Sequence, residues 1–312
     1  MSQDNVCILG GTGFVGTWLS TRLCQQGAQV TLLVRNAERA KHLAVLPNIK
    51  FIECDIYNPQ HLEKNLAEAD VVINLVGILN ERGHKGDGFR RAHIELPRKI
   101  LRACQHNKVP RLLHMSALHA DANTGPSHYL RSKGDGENNL HTFAGNCAVT
   151  SFRPSVIFGP GDSFFNRFAS LIRMSPGIFP LAFGHARFAP VYVGDVVDAF
   201  INSMHDQSTY GNRYDLCGPE EFTLHELVAY TSRLIGHKTC IIDLPNLFAR
   251  IQANILEYFP GKPFSIDNYN SLKVDSICGN GTRMPTSISS IVPWYIGSHN
   301  QQMDIYRRHT GR

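Results

Sequence analysis

The sequence predicts a doubly wound α/β fold, a parallel sheet with helices on both faces, joined to a smaller C-terminal α/β lobe. Three observations predict it. Short apolar runs alternate with segments of helical periodicity from residue 6 to residue 152, and alternation this regular implies a parallel sheet with crossover helices. The first run, Val6-Cys7-Ile8-Leu9, passes straight into glycines at 10, 13 and 16 and then into a helical pattern with Phe14, Val15, Trp18, Leu19 and Leu23 on one face. After the sixth run the alternation gives way to an irregular, phenylalanine-rich stretch.

The opening strand, glycine turn and helix form a cradle for the pyrophosphate of a dinucleotide. Side chains in the turn would hold the phosphates away from the backbone N–H groups. The helix that follows offers its unpaired N–H groups and positive dipole end to the anion. The plainer alternative is a tight strand-to-helix turn, but the later elements agree with the cradle. Residues 28–34 (AQVTLLV) form the second strand and lead to Arg35, where an NAD site places Asp or Glu for the ribose 2′-hydroxyl. An arginine there, with Asn36 and Arg39 behind it, suits a 2′-phosphate through charge and a bidentate fork, so NADP(H) is expected rather than NAD(H). The competing reading of Arg35 is a solvated side chain at a helix start.

Residues 48–54 (NIKFIEC) form the third strand and end at Asp55-Ile56. The Asp55 carboxylate is suited to the adenine amino group or to capping the helix that starts near Pro59, a task open to Asn58 as well. Residues 69–76 (ADVVINLV) close on Gly77, where small residues let the nicotinamide half pass. Residues 89–107 read as a helix kinked at Pro97. The fifth strand, 110–115 (PRLLHM), leaves Ser116, Ala117 and His119 just past its carboxyl end, the edge at which ligands sit in such sheets. The sixth strand is 148–152.

Between the fifth and sixth strands stand Tyr129 and Lys133, four residues apart and so on one helix face, one turn from each other. An ammonium beside a phenol favours the phenolate, which makes the phenol a usable proton donor and acceptor near neutrality. In isolation YxxxK reads as a surface pair; its placement after a strand ending in serine, in a chain that opens with GxxGxxG, makes it specific.

On these residues the chain resembles the extended or atypical branch of the short-chain dehydrogenase/reductase superfamily. The resemblance rests on GGTGFVG at 10–16, Asp55, Ser116 and the Tyr129/Lys133 pair, together with RPSVIFGPGD at 153–162, which is similar to the branch's RPxxxxGPGD run. It covers the chain to about Gly236. Within the branch, PVYVGDV at 190–196 and LCGPEEFTL at 216–224 look like the group that holds the alpha-subcomplex subunit nine of respiratory complex I and its stand-alone bacterial relatives. That resemblance implies NADPH as cofactor, in agreement with Arg35. It implies Tyr129, Lys133 and Ser116 as catalytic residues. It implies a cofactor-binding set of Gly10, Thr12, Gly13, Phe14, Val15, Gly16, Arg35, Asp55, Ile56, Val76, Gly77, Lys133 and Pro154. Two departures stand out. Extended enzymes carry the catalytic hydroxyl one position later, where this chain has Ala117, although Ser116 lies 13 residues before Tyr129, the separation common in short-chain enzymes. Sugar-nucleotide epimerases carry an arginine before their VxD run to hold a diphosphate; Arg187 is one residue out of register with it.

The expected division gives residues 1–160, rejoined by 186–217, to the dinucleotide-binding domain, and 161–185 with 218–312 to a small substrate or partner lobe. In that lobe Phe164, Phe165, Phe168, Phe179 and Phe183 either lid an apolar substrate pocket or cover the sheet edge. Thr223 is placed to cap a helix over 224–235. Leu244, Leu247, Phe248, Ile251, Ile255 and Phe259 share one helical face, which suits a membrane surface or partner if exposed and the core if not; a core-facing stripe is the commoner arrangement. The polar tail, 298–312, is expected to fray.

With 312 residues, 43% of them hydrophobic, 18% charged and a net charge of +5 not gathered into runs, the chain reads as an ordinary globular protein with no nucleic-acid footprint. No apolar run approaches the roughly 20 residues of a membrane span. The first strand begins within about five residues of Met1, which leaves no room for a targeting peptide and predicts a cytoplasmic chain. The eight cysteines include no CxxC pair and read as small buried thiols in a reducing compartment, and HExx at 225–228 fails as a zinc motif at Ala229, so no metal site is expected. Three functions fit. The first is an NADP(H)-dependent oxidoreductase acting on a small carbonyl or alcohol, an apolar one if the phenylalanines line its pocket, with links to quinone or complex I chemistry. The second is a non-catalytic NADPH-binding accessory or assembly protein. The third, with least support, is a nucleotide-sugar epimerase or dehydratase.

Overall fold

Continuous aliphatic runs such as VCIL and VTLLV have no polar face, so they form strands only where helices cover both sides of a sheet. The computed structural model describes residues 4–81, 83–258, 264–279 and 281–297, without the side chain of residue 39. In chain order the first elements are β1 (Asn5–Leu9), α1 (Phe14–Gln25), β2 (Gln29–Val34), β3 (Ile49–Glu53), α2 (Pro59–Asn65), β4 (Val71–Asn74), α3 (Asp87–Arg90), α4 (Leu96–His106), β5 (Arg111–Met115), α5 (His128–Thr142) and β6 (Ala148–Pro154). There follow β7 (Ile157–Phe158), α6 (Phe165–Met174), β8 (Ile178–Ala182), β9 (Arg187–Phe188), β10 (Val191–Tyr192), α7 (Val193–Asn202), β11 (Arg213–Cys217) and β12 (Phe222–Thr223). The last are α8 (Leu224–Leu234), β13 (Cys240–Leu244), α9 (Asn246–Leu256), α10 (Ile266–Ser271), β14 (Thr282–Arg283) and α11 (Ile288–Ile296).

The main sheet has the order β14-β11-β6-β5-β4-β1-β2-β3, with β1 parallel to both β2 and β4. Ile8 lies opposite Leu32 on one side and Ile73 on the other, all three fully buried. The strand order reverses between β1 and β4, which opens the crevice at their carboxyl ends where ligands of such sheets bind. The chain divides into two compact units, Met1–Pro154 with Val196–Asp215, and Ser155–Asp195 with Leu216–Arg312. The first unit is the doubly wound domain. The second holds three small two-stranded pairs, β7 with β10, β8 with β13 and β9 with β12, among α6, α8, α9, α10 and α11.

Local chemistry sets the element ends. Asn48 takes a left-handed φ of 58°, so β3 starts one residue later than its apolar run. The side chain of Asn74 accepts from Val76 N–H at 3.1 Å and turns the chain away after four residues of β4. The helix expected over 89–107 is interrupted by a π-helical turn, Arg91–Glu95, directly before Pro97. The wider turn is one way a helix accommodates a residue without an N–H donor, and such turns recur at functional sites. Thr223 caps α8 in a reciprocal box with Glu226.

In the second unit the structure decides between two sequence readings of the phenylalanines and corrects two expectations. Phe164, Phe165, Phe168 and Phe179 pack on one another edge to face at 5.2 to 6.4 Å, and Phe183 packs on Tyr269 at 4.9 Å, so the cluster is core rather than the lid of a substrate pocket. Cys217 and Cys278 are not thiols but a disulfide, joining positions 61 residues apart, with Cα atoms 6.0 Å from each other. The stripe on α9 points outward, while Ala249 and Ala253 face the core, because only small side chains allow the helix to lie close on the narrow β8–β13 pair. Phe259 of that stripe and the tail 298–312 lie outside the described residues. Among the described residues no helix is long and apolar enough to cross a membrane.

Candidate functional site

The glycine turn between β1 and α1 is a fitted cradle. Gly10 has φ +84°, and a Cβ on it would stand 2.9 Å from the Leu75 carbonyl carbon. A Cβ on Gly16 would stand 2.4 Å from the Gly10 carbonyl oxygen, so α1 can approach the turn this closely only through glycine. Gly13 is the N-cap of α1 and brings no side-chain acceptor, and no acidic residue occupies the first turn. The first-turn N–H groups, at Phe14, Val15 and Gly16, are therefore left for an anion, with Thr12 half-buried beside them. The residues present fit a dinucleotide pyrophosphate.

Arg35 is exposed directly past β2, and Asp55 is exposed past β3, at the neighbouring strand end. One Asp55 oxygen accepts from Tyr57 N–H at 2.9 Å, while Asn58 caps α2 through Gln60 N–H; the helix cap belongs to Asn58. Ile56 is buried under this turn. Sequence reading misses two neighbours. The Arg91 guanidinium stacks 4.2 Å over the Tyr57 ring, and Tyr57, raised above the usual phenol range by burial, feels the opposing charges of both Arg91 and Arg35. The signal is present as a basic pair at 90–91, but only the π turn aims Arg91 here.

On the other side of the crevice Gly77, Lys133 and His93 converge. A Cβ on Gly77 would lie 3.2 Å from Lys133 Nζ and 3.7 Å from His93 Nε2. Lys133 is almost wholly buried and donates to the Met115 carbonyl at 3.0 Å. Burial lowers its pKa to about 8, against the partial support of Glu137. His93, which the sequence does not flag, accepts from Ile78 N–H on Nε2 at 3.1 Å, so its proton sits on Nδ1 and goes to Ser132 Oγ at 2.8 Å. Ser132 in turn donates to the Tyr129 carbonyl at 2.9 Å. Burial and the Lys133 charge hold the His93 pKa down to about 2, so this chain of hydrogen bonds stays neutral and fixed at physiological pH. The Tyr129 ring, half-buried, stands edge-on to His93 at 5.5 Å and to Phe89 at 6.2 Å.

Ser116 is differently placed. Its backbone N–H pairs with Phe152, and its hydroxyl donates at 2.5 Å to Glu137, which is completely buried. Glu137 also takes Arg153 in a fork, at 2.9 and 3.0 Å, and Arg213 Nε at 2.7 Å. The Ser116 proton is committed inward, which leaves the oxygen lone pairs, and not the O–H, to face a ligand. Pro154 ends β6, its carbonyl accepting from Leu118 N–H at 3.1 Å, and Val76 sits half-buried between Asn74 and Gly77. The structure thus groups Tyr129, Lys133, His93 and Gly77 at one end and Arg35, Asp55, Tyr57 and Arg91 at the other, while Ser116 belongs to the Glu137 cluster. Among the described residues no group of His, Cys, Asp or Glu could hold a metal ion.

A titration follows from Lys133. Its folded pKa near 8 lies below the ordinary value of 10.5, so between these limits the unfolded chain holds a proton that the folded one has released, and stability rises with pH across that window. Affinity for a ligand held by the ammonium runs the opposite way. Dinucleotide affinity is expected to fall as pH passes about 8 and to lose that step in Lys133→Met, measured by calorimetric titration from pH 6 to pH 10 (roughly two units each side of that value). Identical profiles for the two proteins would remove the ammonium from the contact.

The glycine cradle at a topological switch point, with a tyrosine and a buried lysine across the crevice, defines a dinucleotide-binding α/β protein of the short-chain type. Residues 6–217 match the NAD dependent epimerase/dehydratase family, and the chain belongs to that family. It is 28% identical over 286 residues to the mitochondrial NADH dehydrogenase [ubiquinone] 1 alpha subcomplex subunit 9 of Arabidopsis thaliana, covering 86% of this chain and 70% of that protein. It is 30% identical over 239 residues to the protein of the same name from Mus musculus, covering 75% of this chain and 62% of that one, so it spans less than two thirds of the mouse relative's length. Among solved structures it shares its fold, at a TM-score of 0.67 and 19% identity, with the UDP-glucuronic acid 4-epimerase from Bacillus cereus in complex with UDP-glucuronic acid and NAD, over 86% of this chain and 99% of that one.

Proposed function

We propose that this chain is an NADP(H)-binding oxidoreductase of the atypical short-chain type that works at the cytoplasmic side, in the setting of quinone or complex I chemistry. The observation that carries it is the convergence of buried Lys133 and His93 on Gly77, with Tyr129 packed against the same histidine. Bound there, the nicotinamide supplies hydride exchange. Lys133 holds the ribose hydroxyls, His93 fixes the Gly77–Ile78 backbone through its contact to Ile78 N–H, and Tyr129 holds the proton that moves to or from the substrate oxygen. Preference for NADP(H) rests on Arg35, with Arg91 adding a second cation by Tyr57. Arg35→Asp is expected to reverse the order of NADP(H) and NAD(H), by about 2–3 kcal/mol for a charge-assisted contact. Calorimetric titration of both cofactors against both proteins checks it, and equal affinities in the unmutated protein would overturn it. A cytoplasmic place is compatible with the Cys217–Cys278 bridge because both residues are buried, at 0% and 3% exposure, away from dissolved thiols.

The second reading, an accessory protein that keeps NADPH as part of its fold, draws on the inward commitment of Ser116 to Glu137, on Ala117, and on the names of the respiratory relatives. The epimerase reading loses a diphosphate clamp, since Arg187 and Arg283 both close on Glu221, each at 2.5 Å. In thermal-shift measurements NADPH is expected to raise the melting temperature, the increment corresponding to about 4 kcal/mol at a thousandfold excess over Kd. UDP-sugars are expected to leave it unchanged. A shift with a UDP-sugar alone would return the chain to nucleotide-sugar chemistry.

A further inference from the structure

Helix α9 carries a row of large apolar side chains turned to solvent: Leu247 at 68% exposure, Phe248 at 57%, Ile251 at 46%, Ile255 at 55% and, just past its end, Tyr258 at 81%. The helix sits by Ala249 and Ala253 on the face of the β8–β13 pair that carries Ala182 and Leu244, and Gln252 donates to the Pro180 carbonyl at 3.0 Å. Alternation along those strands puts Ile178 on that same face of β8, with Ile242 matched to Pro180 on β13. Both are also exposed, at 56% and 47%, so the apolar surface of the helix continues onto the sheet beside it.

We infer that this surface lies in the headgroup region of an anionic lipid bilayer, with α9 parallel to the membrane plane. Three features select that occupant. The exposed residues of α9 carry one charge, Arg250, and the carboxylate at its end, Glu257, is buried, so the face is attractive to anionic lipid and carries no repulsion. The acid nearest in the chain, Asp243, alternates to the opposite face of β13 and is engaged by His225 at 3.0 Å. The row ends just before Tyr258, a residue type that favours the membrane–water boundary, and carries Phe248 near its start as an apolar side chain to insert. Finally, the exposed apolar side chains of this surface, the α9 row with Ile178 and Ile242, fall far short of the roughly 20–30 residues a side of a stable protein interface, whereas each side chain inserted in lipid adds its own transfer energy. The inference is independent of which reaction, if any, the cofactor site performs.

The test uses the full chain with lipid vesicles of phosphatidylcholine alone or mixed with phosphatidylglycerol, read by flotation. Binding is expected to be about fivefold tighter to the anionic vesicles, the effect of one basic residue, and to lose that preference in about 1 M salt, where screening shortens to roughly 3 Å. Phe248→Glu with Ile251→Glu is expected to lose binding about tenfold or more, since it removes two inserted side chains and adds two repulsive charges. Arg250→Gln is expected to lose about fivefold on anionic vesicles and little on neutral ones. All variants keep the NADP(H) affinity and melting temperature of the parent, because these side chains lie outside the buried core. Failure of the full chain to bind anionic vesicles, equal binding by the double-glutamate protein, or a concentration-dependent dimer that this protein loses would each overturn the inference, the last in favour of a second copy as the occupant.

Discussion

Replacing Glu137 with alanine is expected to cost the protein about 3–5 kcal/mol, the range for removing one partner of a buried ion pair. Glu137 has no exposed surface and satisfies three donors at once: the Ser116 hydroxyl, the Arg153 fork and Arg213 Nε. Without it the Ser116 hydroxyl loses its acceptor, the two guanidiniums keep only Asp215, 3.9 Å from Arg153, and Asn138, 3.3 Å from Arg213, and a cavity opens between α5 and β6. The two arginine side chains are 25% and 35% exposed and can turn partly to water, so the lower half of the range is expected. In a chain of this size that is a fall in melting temperature of roughly 5 °C. Arg22→Ala, which breaks the exposed Arg22–Asp198 pair at 3.1 Å, serves as the control and should cost less than about 1 kcal/mol. Denaturation with urea measures both. A Glu137→Ala cost no larger than the control's would mean that the cluster is held by its surroundings and not by the carboxylate.

Glu137 also shows where sequence reading stops. Tyr129, Lys133 and Glu137 are spaced four apart, so the helix face itself is legible, and the first two can be read from it. What the glutamate does depends on Arg153 and Arg213, sixteen and seventy-six residues later, which only the packing of α5 on the sheet brings to it. The doubly wound domain is legible because its central strands are buried on both faces and its glycines are forced by close backbone approach, two constraints written locally in residue type. Of the group at Gly77, the glycine and Lys133 are legible in the sequence but His93 is not, because a π-helical turn gives no periodic signal and shifts which side chain faces inward. In the second unit periodicity identifies the faces without saying what covers them. The α9 stripe reads as core and is exposed, while the phenylalanines, which read equally as a pocket lid or a cover on the sheet edge, are core. The Cys217–Cys278 bridge depends on a contact across 61 residues and has no spacing signature.

Tyr129→Phe is expected to leave the fold and cofactor affinity intact and to lower turnover by about a hundredfold or more, the share that a positioned acid–base group contributes. The ring, not the hydroxyl, makes the packing contacts to His93 and Phe89, and phenylalanine keeps the ring. Lys133 is pinned by the Met115 carbonyl and the neutral His93–Ser132 pair holds the α5 backbone at Tyr129, so neither depends on the phenol. Cofactor titration should therefore superimpose for the two proteins, and the melting temperature should move by less than a few degrees. The loss should appear in kcat and not in KM, because a proton that moves only in the transition state contributes nothing to ground-state binding. NADPH oxidation against a panel of ketones, aldehydes and quinones, run on both proteins, supplies the measurement. Turnover by the Tyr129→Phe protein within about twofold of the parent's would remove the phenol from the reaction, since an acid–base group is worth far more than that. No turnover by the parent on any of them, together with NADPH that stays bound through purification, would give the accessory reading the stronger claim, with Tyr129 and Lys133 serving to hold the nucleotide alone.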